Sequence, residues 1–178
     1  MRNELPIRTI MRVGYLLLGG WLLLFGLANY VGGRDPIVVW VLHPGAMITG
    51  IIFLFCLFAV SRSELAGTIL LSVFLLAMGV IPYETVFRFE SGNLLGMILW
   101  GVSLLAGCLI PLGLAEKGWG DRFGLALLSV WLIIWPLPVI ADEPRIGLMI
   151  DTLLPALAGC VILANSLVVL LRRKKEIP

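Results

Sequence analysis

The chain has 178 residues, 60% of them hydrophobic and 13% charged, with a formal net charge of +2 and a mean hydropathy of +1.06. A soluble domain carries roughly 45–50% apolar and about 25% charged residues, so a water-soluble globular protein is excluded. No nucleic-acid partner is expected from so apolar a chain.

Met1 to Arg12 carries three arginines ahead of the first apolar run. That pattern resembles the start of a secretory signal, but the repeats described below make this run part of the folded bundle, and it is expected to be retained. Apolar runs then occupy residues 13–31, 36–60, 65–83, 92–114, 123–141 and 146–171. Each approaches or exceeds the roughly 17–25 residues a helix needs to cross a ~30 Å hydrocarbon layer. Alternation over about ten residues, the mark of a transmembrane barrel, is absent from the sequence,. An all-α integral membrane protein with six transmembrane helices is therefore expected, as one membrane domain with a basic tail at 172–178.

Ten of the thirteen basic residues fall on one side of this topology, among them Arg2, Arg8, Arg12, Arg62, Lys117, Arg122 and the RRKK tail. By the bias of basic residues toward the cytoplasmic side, both termini are expected in the cytoplasm of a cell whose inner membrane holds the protein. Anionic lipid headgroups are the expected partners of that face. The opposite loops carry Arg34, Arg88 and Arg145, each beside an acid or two residues from one. They read either as an anion-attracting ring at the outer mouth or as local charge pairs in solvated turns.

The sequence repeats itself. LLAGCLI at 104–110 returns as ALAGCVI at 156–162, and a shift of 52 residues aligns Cys56, Cys108 and Cys160. LLGGWLLLFGLANY at 17–30 likewise matches LLSVFLLAMGVIPY at 70–83, placing Trp21, Phe74 and Trp131 at one position and Gly26, Gly79 and Pro136 at another. Three tandem hairpins follow, at about 13–60, 65–114 and 123–171. Because each hairpin returns the chain to its starting side, the copies share one orientation, and pseudo-three-fold symmetry about the membrane normal is expected.

Helices associate in lipid by close backbone approach at small residues. Gly92 and Gly96, Gly107 with Cys108, and Gly159 with Cys160 are the expected packing positions, and the tryptophans inside the spans read as lipid-facing filler. Pro136, Pro138 and Pro155 should kink the last two helices. Two polar residues invite a functional reading. Asp151 lies within the sixth span, where an acid either lines a polar cleft or reaches back to the headgroups. His43, the one histidine, precedes Pro44 and is either a pH-sensing group or a residue of a helix entry or kink. The 52-residue shift puts Leu99 and Met47 opposite Asp151, so the acid belongs to the third hairpin alone. No catalytic set, metal-ligand spacing or cofactor motif is present in the sequence,, and no enzyme activity is expected.

The run YLLLGGWLLLFGLANYVGGRDP…LHPGAMITGIIFLFCLFAV and its two successors, covering residues 13–171, resembles the HdeD-like small six-helix membrane proteins built from a short repeated domain. The resemblance implies a non-catalytic inner-membrane protein linked to acid stress, and supplies no site residues. Three functions remain from the sequence. One is a scaffold, stress-protection protein or accessory subunit docked on other membrane subunits or on copies of itself. Another is a passage for small solutes or ions that uses Asp151. The last is an enzyme subunit holding a lipid or pigment.

Overall fold

The computed structural model describes residues 4–31, 36–81, 94–135 and 144–175, with no strand among them. Six long helices account for nearly all of these: α1 (Glu4–Val31), α2 (Pro36–Phe55), α3 (Arg62–Val80), α4 (Leu94–Leu109), α5 (Trp119–Ile134) and α6 (Pro144–Lys175). Tighter 3-10 turns, Cys56–Ala59 and Ile110–Glu116, continue α2 and α4. All but α5 are long and apolar enough to cross a membrane. The described part of α5 has 16 residues, and its expected continuation to residue 141 lies outside the described residues.

Each helix packs on its predecessor and its successor, and α1 closes the circle by packing most extensively on α6. Gly19 meets Leu163 whereas Gly26 meets Thr152 and Ala156, so α1 and α6 run antiparallel. The start of α1 and the end of α6 therefore lie at one end of the bundle, called here the terminal end.

Glycine sets the spacing at every seam. Within the hairpins, a Cβ on Gly14 would come 3.1 Å from Ile52, one on Gly67 2.9 Å from the Ile110 nitrogen, and one on Gly124 2.5 Å from Ile162. Between hairpins, a Cβ on Gly50 would lie 3.0 Å from the Ser72 carbonyl oxygen, one on Gly107 2.9 Å from that of Ser129, and one on Gly159 2.6 Å from that of Gly19. At Gly67, Gly50, Gly107 and Gly159 a side chain would collide with a neighbouring backbone, so the approach needs glycine, whereas at Gly14 and Gly124 it would press on an isoleucine side chain,. Hydrogen bonds between helices reinforce the seams. Trp21 Nε1 donates to the Leu42 carbonyl at 2.9 Å, Ser103 Oγ to the Leu132 carbonyl at 2.8 Å, and His43 Nδ1 lies 2.8 Å from the Met78 carbonyl, as donor in that tautomer.

The alternate helices α1, α3 and α5 meet across the centre of the circle. Phe25 packs edge-on to Trp131 at 5.4 Å, and Phe74 does so to Trp131 at 6.2 Å and to Trp135 at 5.6 Å. Such edge-to-face pairs contribute about 0.5–1.5 kcal/mol each beyond the area they cover. Leu18, Leu22, Leu75, Leu128 and Leu132 fill the space around them and are fully buried. The middle of the bundle is thus packed with rings and leucines.

Two sequence expectations are corrected here. Trp21, Trp131 and Trp135 are buried in this core and do not face lipid; Trp40 and Trp119 are exposed, as expected. Cys108 and Cys160 are exposed, and only Cys56 is buried, so the first two do not act as close-packing residues. The reason is rotational: Gly107 and Gly159 take the seam, and the next residue, about 100° further round the helix, is turned away from it. Cys108→Ala and Cys160→Ala are accordingly expected to leave the unfolding midpoint in mild detergent unchanged, which a thermal scan of each variant checks.

Candidate functional site

Two polar features stand out among the described residues, a charge cluster at the terminal end and a carboxylate beside the aromatic core. The cluster begins with the helix starts. Glu64 lies in the first turn of α3 and Asp121 in the first turn of α5, where the unpaired N–H groups favour negative charge. Neither helix has a side-chain cap at its N-terminus.

Arg12 reaches across from α1 and its Nη1 donates to both oxygens of Asp121, at 2.8 and 2.7 Å. Asn165 of α6 adds a third bond, Nδ2 to Oδ1, at 2.6 Å. Asp121 is only 4% exposed, so this triple contact is what makes its burial tolerable. The neighbouring glycine makes the room: a Cβ on Gly120 would fall 2.5 Å from the Asn165 side-chain oxygen.

A second pair sits alongside. Lys117, in the connection before α5, donates to Glu64 Oε2 at 2.6 Å, and Gly113 leaves space for the Glu64 side chain. Burial alone would lower the Lys117 pKa, but the Tyr15 oxygen and the Glu64 carboxylate outweigh it and hold the ammonium above its ordinary value. Tyr15 joins the two pairs. Its buried ring lies 6.0 Å from the Arg12 guanidinium and 5.5 Å from the Lys117 ammonium, at the edge of cation–π range. Arg122 stays outside the cluster and ties down the preceding turn through the carbonyls of Lys117 and Ala115. Beyond Asn165, the Ser166 hydroxyl is buried with no hydrogen-bond partner.

Two cations against two carboxylates leave the cluster neutral, and each carboxylate is held by a base. Such a set is suited to clamping α1, α3, α5 and α6 together. Among the described residues, no group of three or more His, Cys, Asp or Glu side chains could hold a metal ion.

The second place is Asp151. Its Oδ1 lies 3.4 Å from Trp131 Nε1, a long and weak hydrogen bond. Its backbone carbonyl accepts from Asn29 Nδ2 of α1 at 3.2 Å. The acid therefore abuts the ring at the hub of the aromatic core, at the seam of α1, α5 and α6. His43 is not part of this group: its bond to Met78 joins α2 to α3.

The residues singled out from sequence are thus dispersed. Gly96 is buried in α4, and Gly107 and Gly159 occupy seams. Gly92, Arg34, Arg88 and the Arg145 side chain lie outside the described residues. Sequence reasoning missed the Arg12, Asp121, Asn165, Lys117 and Glu64 cluster, because charges flanking apolar runs read as solvated ends. The available signal was the glycine-acid pairing at Gly120-Asp121, close to a helix start. Comparison of the chain with family models, curated proteins and solved structures gave no match, so the functional reading rests on this geometry.

Proposed function

We propose that the protein is a non-catalytic membrane framework, a scaffold or accessory subunit whose task is to present a rigid bundle to other membrane proteins or to stress-exposed lipid. The observation that carries this reading is the filled centre: Trp131, Phe25 and Phe74 close the middle of the circle with leucines packed around them. A passage would need polar, wetted walls there.

The framework is built from three copies of one hairpin, spanning the membrane six times with pseudo-three-fold symmetry. Support comes from the seams. Gly14, Gly67 and Gly124 make one kind of contact with the following helix, and Gly50, Gly107 and Gly159 another with the carbonyls of Ser72, Ser129 and Gly19. The two sets of contacts obey one register, with the odd helices spaced 53 and 57 residues and the even helices 57 and 52. This register pairs Asp151 with Leu42 and Leu99, in place of Met47, and leaves Cys56 out of the cysteine set. Both termini face the cytoplasm of the inner membrane, where the basic tail meets anionic headgroups.

A gentle-detergent pull-down from native membranes, read by mass spectrometry of proteins and lipids, tests the framework reading. The expected result is a stoichiometric membrane partner or a discrete homo-oligomer. A second reading, solute or ion passage, has Asp151 in its favour. Flux into proteoliposomes that disappears with Asp151→Leu would replace the framework reading with that one.

A further inference from the structure

We propose that the bundle is fitted to a thin lipid layer, and that its exposed aromatic rings are interfacial anchors through which it selects phospholipids with short acyl chains. The inference goes beyond the framework reading and does not depend on which partner the bundle meets.

The aromatic side chains of the described residues fall into two groups. Tyr30, Trp40, Phe55, Phe58, Trp119 and Phe123 are exposed, and the remaining described rings are buried or half-buried. The exposed ones lie only toward the two ends. Phe55 closes α2 and Phe58 lies in the turn that follows it. Gly14 meets Ile52 and Phe53, which brings both rings level with the start of α1. Trp119 opens α5, two residues before the aspartate that Arg12 holds, and stacks on Phe123 with the ring planes 3° apart. Those four rings therefore share the terminal end. Tyr30 and Trp40 mark the other, at the end of α1 and near the start of α2.

Two features identify lipid as what the rings meet. Because each helix packs on its neighbours in chain order, α2 and α5 sit on opposite sides of the circle, and the rings of the terminal end do not form one partner's footprint. Between the ends, the large exposed side chains are aliphatic, from Leu94 to Leu112 along α4 and its continuation and from Leu153 to Leu171 along α6. An aliphatic band bordered by aromatic rings is the surface of a protein that passes from hydrocarbon to headgroup. The Arg12 contact with Asp121 ties α5 to α1, which fixes the height of Trp119.

The band is short. Trp40 and Phe58 are eighteen residues apart, and so are Leu94 and Leu112, and Leu153 and Leu171. At about 1.5 Å per residue each stretch covers ~27 Å, and helices tilted by ~20° project less than that onto the membrane normal. A typical hydrocarbon layer is ~30 Å thick. Long acyl chains must therefore compress around the bundle or drown its aromatic borders, whereas short ones match it.

Vesicles made from equal amounts of palmitoleoyl and erucoyl phosphatidylcholine provide the test. The full-length protein is reconstituted, excised with its surrounding lipid by styrene–maleic acid copolymer, and its lipid compared by mass spectrometry with that of protein-free discs. At least about twofold enrichment of the palmitoleoyl lipid is expected from the cost of mismatch. Phe58→Leu/Trp119→Leu removes one aromatic border at exposed positions and should lose most of that enrichment. No enrichment, enrichment of the erucoyl lipid, or undiminished enrichment in the double variant overturns the proposal. If the double variant does not fold, Trp40→Cys and Phe58→Cys, each in a background without the native cysteines, carry an environment-sensitive dye instead. Both dyes should then report headgroup surroundings in palmitoleoyl vesicles, and hydrocarbon surroundings at either position overturn the proposal equally.

Discussion

Replacing Arg12 with methionine should destabilise the bundle by about 3–5 kcal/mol, the usual consequence of leaving a buried charge without its partner. The partner left behind is Asp121, 4% exposed and held otherwise only by Asn165. The reverse change, Asp121→Leu, should cost less. Arg12 is 24% exposed, and its long side chain can turn its head toward water at the terminal end. The double variant Arg12→Met/Asp121→Leu removes both charges and should recover much of the loss, since an apolar replacement of a whole buried pair is often neutral. Dodecyl sulfate titration of the three variants, followed by circular dichroism, reads the ordering. Equal losses from the two single variants would mean that the pair is solvated and contributes little.

The other large effect is steric. Gly159→Leu puts a branched side chain where even a Cβ would lie 2.6 Å from both the Gly19 oxygen and the Leu23 nitrogen. A backbone cannot move aside as a flexible side chain does, so α1 must lift off α6. Overpacking in a core usually costs about 1–3 kcal/mol, and this substitution should exceed the upper figure. It should also loosen the Arg12 clamp, because α1 carries Arg12 away from Asp121 on α5 when it lifts. Gly101 is the matched control. Nothing lies within 4 Å of a Cβ there, and Gly101→Leu in the same titration should unfold at the wild-type midpoint. Equal sensitivity at the two positions would count against the seam and point to a general loss from replacing helical glycine.

Much of the fold was legible because membrane spans advertise themselves: five of the apolar runs correspond to helices long enough to cross. Trp21 and Trp131 stood out in the sequence but read as lipid-facing rings, whereas the structure buries both. The close contacts between helices were not legible. Cys108 and Cys160 drew attention as small residues, yet Gly50, Gly107 and Gly159 are the residues that meet a neighbouring carbonyl. A glycine among many glycines gives no alignment signal, although its lack of a side chain is what the seam requires. The charge cluster was hidden for a different reason. Arg12, Glu64, Lys117 with Asp121, and Asn165 come from four separate stretches of chain, and only the closing of α1 onto α6 brings Arg12 to Asp121. Asp151 could be found from sequence because an acid in an apolar run is conspicuous. Its neighbour Trp131 could not, because the contact depends on the rotation of α5 about its own axis.

The framework reading stands or falls on the packed centre, and labelling of a buried cysteine tests it most directly. In a background with Cys56, Cys108 and Cys160 replaced by alanine, Leu75→Cys places a thiol at a fully buried position of α3 beside the aromatic core. Trp119→Cys places one at an exposed position at the start of α5. A water-soluble maleimide applied to the folded protein in nonionic micelles should modify position 119 within minutes and position 75 only after denaturation in dodecyl sulfate. Rapid modification of position 75 in the folded protein would show water running through the middle of the bundle and would contradict the account.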